Sequence, residues 1–148
     1  RGRPRNSGPI DGAGRRSVYI SVRRNFLSPM MLAFDTPIPF NAIGKRNKSN
    51  VPAQALILMN DPFVIGQAKI WADKLIKQGK ERPERIVDVY LTAVGRPPTP
   101  SESQNAIEFI NLQAESLGIS ADDVNNNLEV WQDFCHVVVN LKEFIYIR

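Results

Sequence analysis

From Pro52 onward the apolar residues recur at helical intervals, and prolines and glycines cut the runs where helices should begin and end. No other feature constrains the fold as much. A stripe repeating every three to four residues is buried efficiently only by a helix lying on a neighbour. Proline fits the first helical turn, and glycine fits the position just past the last. Ala53 to Met59 is almost wholly apolar and reads as a short buried helix. Asp61-Pro62 then supplies a cap and a restart, followed by the stripe Val64, Ala68, Trp71 and Leu75, which Gly79 closes. Pro83 opens a third helix with Ile86, Val87, Tyr90, Leu91 and Val94 on its stripe, and Gly95 ends it.

The phrase Gly95-Arg96-Pro97-Pro98-Thr99-Pro100-Ser101-Glu102 marks the next start. Thr99 is a good N-cap, Pro100 suits the first helical position, and Glu102 stands three residues after Thr99, as a capping box requires. The fourth helix carries Ala106, Ile107, Ile110, Ala114 and Leu117, and Gly118-Ile119 fits a glycine cap with its apolar clasp. Ser120 opens a fifth, with Asp122 and Asp123 in the turn where the helix dipole favours acids. Its stripe is Val124, Leu128, Trp131, Cys135 and Val138. Asn125-Asn126-Asn127 weakens its start, so the helix should become firm near Leu128. Leu141 to Ile147 should dock back on the bundle.

The N-terminal third is different. Residues 1–50 hold ten Lys/Arg against two Asp/Glu, a net of +8, while residues 51–148 hold nine against thirteen, a net of −4. Residues 1–14 contain four Gly, two Pro and three Arg, too little apolar surface to order themselves, and read as a flexible basic arm. Val18, Ile20 and Val22 alternate with Tyr19 and Ser21, the period of a short strand without an obvious partner. Residues 25–52 are punctuated by Pro29, Pro37, Pro39 and Pro52, yet contain Met30, Met31, Leu32, Phe34 and Phe40. Such a segment should pack down on the body. The expected fold is therefore all-α, a bundle of four to five helices with an irregular, basic N-terminal segment that has room for one short strand. Residues 15–148 form one domain in this reading, with 15–52 wrapped on a helical body of 53–148.

Several function classes lack their residues. One cysteine, Cys135, excludes an intrachain disulfide. Cys135-His136 invites a c-type haem reading, but Gln132 stands where the first thiol of Cys-x-x-Cys-His would be. With one Cys and one His, no Cys/His zinc set can be assembled. Adjacent positions on one helix diverge by about 100°, so Cys135 and His136 do not make a nucleophile–base pair. No phosphate-binding loop, dinucleotide fingerprint or Gly-x-Ser-x-Gly occurs. No apolar run approaches the ~18 residues of a membrane helix. The basic pairs Arg15-Arg16 and Arg23-Arg24 and the run Lys45-Arg46-Asn47-Lys48 have the charge to meet phosphates, but no nucleic-acid motif surrounds them. The best candidate for a ligand-binding polar cluster is Arg16, Arg24, Asp35, Arg46, Asn47 and Gln54, all in the loop-rich part where sites tend to sit. A structural salt-bridge network is the competing reading of the same residues. No catalytic residue, metal ligand or cofactor is assigned.

Three phrases carry a resemblance: Arg15-Arg16-Ser17-Val18-Tyr19, Pro29-Met30-Met31-Leu32-Ala33-Phe34-Asp35-Thr36-Pro37, and the run from Arg46 to Phe63 that contains Asn50-Val51-Pro52-Ala53-Gln54-Ala55-Leu56. With Gly95-Arg96-Pro97-Pro98-Thr99 and Glu143-Phe144-Ile145-Tyr146, they resemble the C-terminal part of the family called domain of unknown function 1553. Lys45, Ser49-Asn50-Val51 and Leu141-Lys142 depart mildly from commoner versions. The resemblance implies a planctomycete or related bacterial protein that is large, multidomain and exported, hence periplasmic or extracytoplasmic. It implies a cytochrome-c-like region upstream in many members, so that any haem sits outside this chain. It supplies no agreed catalytic residues. The chain opens on Arg1-Gly2-Arg3-Pro4-Arg5 without Met and reads as a fragment of such a protein. Its expected role is a non-catalytic C-terminal packing or interaction module whose partners are the upstream domains. The alternatives are part of an enzyme site, carbohydrate-related in one reading, completed by upstream domains, or nucleic-acid binding through the basic segment.

Overall fold

The structure is a computed structural model, and it describes residues 19, 28–36, 44 and 52–145. Within these lie seven α-helices and no strand. They are α1 (Pro29–Ala33), α2 (Pro52–Asn60), α3 (Pro62–Lys77), α4 (Arg82–Val94), α5 (Pro100–Ser116), α6 (Leu128–Val139) and α7 (Lys142–Ile145). A 3₁₀ turn, Val124–Asn126, precedes α6. The all-α expectation holds. The strand proposed for residues 18–22 lies outside the described residues except for Tyr19, which is exposed. Residues 1–14 lie outside them as well.

The chain divides into two compact units, residues 1–63 and 64–148. In the first, α1 packs against α2, and the Gln54 side chain donates to the Ala33 carbonyl at 2.9 Å. That bond caps the end of a five-residue helix too short to hold itself. The sequence reads α2 as buried, yet only Leu58 is, while Leu56 and Met59 are 58% and 57% exposed. An apolar residue set that runs round a helix exceeds what one packing face can cover.

The second unit has a continuous core. Ala68, Ala72 and Leu75 from α3, Ile86, Val89 and Tyr90 from α4, and Ala106, Ile110 and Ala114 from α5 meet Val130, Trp131, Phe134, Cys135 and Val138 from α6. Small residues on α5, Ala106 and Ala114, let its backbone come close to the large side chains of α6. The stripes are slightly rotated from those expected. Trp71 is half-buried while Ala72 is fully buried, and Leu91 is exposed while Arg85 and Val89 face inward.

The caps follow the sequence closely. Asp61 Oδ1 accepts from the Phe63 amide at 2.8 Å. Gly95 takes φ 74°, the left-handed conformation that ends α4 and turns the chain toward Arg96. Ile119 N donates to Ala114 O at 2.8 Å, the long bond of a Schellman-type close. One expectation shifts. Ser120 Oγ donates to Asp123 Oδ2 at 2.7 Å within a turn, and Ser120 does not open the fifth helix. Asn127 caps α6 instead, accepting from Glu129 N and Val130 N at 3.0 and 3.1 Å. Asparagine's side chain competes with helical backbone bonding, so the Asn run forms the turn and its last member starts the helix.

Candidate functional site

Four of the six cluster residues proposed from sequence, Arg16, Arg24, Arg46 and Asn47, lie outside the described residues. Asp35 and Gln54 are placed, both in the α1–α2 pair. Gln54 uses its amide on the Ala33 carbonyl. Asp35 sits in the turn after α1 with φ 56°, the one non-glycine residue with positive φ among those described. Left-handed backbone costs an L-residue roughly 1–2 kcal/mol, although Asp tolerates it better than most.

The 64–148 unit contains two polar constellations that sequence reading did not find. The first is built on Arg85, 2% exposed inside the core. Its guanidinium lies 4.5 Å from the Trp131 ring centroid. Nη2 donates to Lys80 O at 3.0 Å, and Nη1 donates to Asn125 O. Nε is buried without a partner. Burial lowers the Arg85 pKa, Glu81 pulls it back up, and Arg82 pushes it down again. An arginine remains charged through such changes. Arg82 continues the network, donating from Nε to Asn125 Oδ1 at 3.0 Å and from Nη1 to Asn111 Oδ1 at 2.9 Å. Trp131 Nε1 donates to Val124 O at 3.1 Å. The Asn turn is thus fastened from both sides.

The second constellation is Arg96 with two glutamates. Nη1 and Nη2 each donate to Glu102 at 2.8 Å. Nε and Nη2 donate to Glu143 at 3.0 and 2.6 Å. Glu102 also accepts from Thr99 N at 2.7 Å, and Thr99 Oγ1 accepts from Glu102 N at 3.3 Å, the complete capping box expected. The bonds from Arg96, then that from Thr99, hold the Glu102 pKa at about 2, against an ordinary 4.5. A depressed carboxylate stabilises the fold above its unfolded pKa and loses that contribution as pH falls through the folded one. Melting temperature should therefore fall between pH 4.5 and pH 2, and Glu102→Gln should flatten that part of the profile. An unchanged acid limb would contradict the assignment.

Cys135 is fully buried, and burial pushes its thiol up to about 12. A protonated, enclosed thiol is a poor nucleophile and a poor metal ligand. In the native protein at pH 8, iodoacetamide should leave Cys135 unmodified and label it only after denaturant is added. Labelling of the native chain at the unfolded rate would refute this. Among the described residues, no three His, Cys, Asp or Glu side chains gather as a metal site. A shallow, open depression is lined by Lys69, Asn127, Leu128, Glu129 and Gln132.

The model of the family described as protein of unknown function (DUF1553) matches residues 4–110. The chain belongs to this family. Comparison with curated proteins and with solved structures found no match. The DUF1553 match takes in the six cluster residues, Arg85, Arg96 and Glu102, and stops within α5, before Trp131, Cys135 and Glu143. Both constellations therefore join the matched DUF1553 stretch to the helices beyond it. A sequence signal for Arg85 did exist. It stands four residues before Val89, on the edge of the α4 stripe, where a charged residue is out of place unless something inside receives it.

Proposed function

We propose that this chain is a non-catalytic packing and interaction module, the C-terminal part of an exported multidomain bacterial protein of planctomycete type. Its partners in this reading are the domains that precede it, it acts outside the cytoplasm, and it carries no cofactor of its own. One observation carries the reading: three arginines of the 64–148 unit, Arg82, Arg85 and Arg96, direct their bonds to neighbouring elements. Arg85 and Arg82 bond the Asn turn and the end of the α3–α4 link, and Arg96 bonds the start of α5 and α7. A binding site would hold such donors ready for a ligand. The exposed Leu56 and Met59 of α2 are the surface offered to the partner domains. Among the described residues, no helix is long and apolar enough to cross a membrane.

The test is a paired substitution in two contexts. Leu56→Glu with Met59→Glu should change the stability of the 148-residue chain by less than about 0.5 kcal/mol, as exposed sites usually do. The same pair should lower the melting temperature of the intact multidomain protein. Equal effects in both contexts would count against the module.

A second reading is favoured by Asp35. Backbone held in a sparsely populated region tends to collect at working sites. Asp35 would then belong to an enzyme site completed by the preceding domains. Asp35→Asn in the intact protein should in that case abolish an activity without lowering thermal stability, whereas a large loss of stability would assign Asp35 to structure.

A further inference from the structure

We draw no further inference here: the strongest candidate, the shallow depression lined by Lys69 of α3 and by Asn127, Leu128, Glu129 and Gln132 at the start of α6, is one helix N-terminus beside an exposed lysine, and nothing among the described residues points to a ligand that it would take.

Discussion

Trp131→Ala should cost the 64–148 unit about 3–5 kcal/mol, the range for deleting a large buried aromatic. Trp131 is fully buried, meets Phe134 edge-on at 5.9 Å, and donates its indole N–H to Val124 O. Its face also carries the Arg85 guanidinium. Alanine would leave a void, take one of two donors from the Val124 carbonyl, the other being Asn127 N, and remove the surface on which a buried charge rests. These losses fall on the same few groups, so they are not additive. Urea unfolding followed by circular dichroism reads the loss directly. Trp131→Phe keeps a ring beneath Arg85 and should lose much less. A loss below about 1 kcal/mol for Trp131→Ala, the usual size for an ordinary substitution, would mean that this packing is not central.

Arg85 gives the second large effect, and here the choice of replacement decides what is learned. Arg85→Ala removes donors from the Lys80 and Asn125 carbonyls and uncovers one face of Trp131, and should cost about 2–4 kcal/mol. Arg85→Met keeps most of the stem's volume and also removes the unpartnered Nε–H and a buried charge that no carboxylate pairs with in a hydrogen bond. Replacing buried charge by packed apolar volume is often nearly neutral. Arg85→Met should therefore lose less than half of what Arg85→Ala loses. If the two are equally destabilising, the bonds to the Asn turn dominate. If both are neutral, the constellation does not hold the unit together.

These two residues also show where sequence reading stops. The caps were readable because their chemistry is local: Thr99 and Glu102 complete each other three positions apart, and Asp61 reaches Phe63 two positions on. The α3 stripe was readable because periodicity alone identifies Val64, Ala68 and Leu75 as inward-facing. Arg85 is readable only as a charge on the edge of a stripe, because nothing near it in sequence reveals an indole face and two carbonyls waiting inside. Arg96 was half-readable: Glu102 lies 6 positions away, but Glu143 lies 47 away on a separate helix. The burial of α2 is not legible in the sequence, because composition gives a helix's apolarity without saying how much neighbouring surface exists to cover it. The predicted polar cluster was legible only as a list of residue types. Its two described members serve a helix end and a left-handed turn.

The module reading is tested most directly by hydrogen exchange of α2, measured in the 148-residue chain alone and again within the intact multidomain protein. If partner domains cover Leu56 and Met59, the α2 amides should exchange about tenfold or more slowly in the intact protein, equivalent to a gain of about 1.4 kcal/mol in local stability. Equal exchange in the two contexts would contradict the account, because the exposed face of α2 would then have no partner to meet.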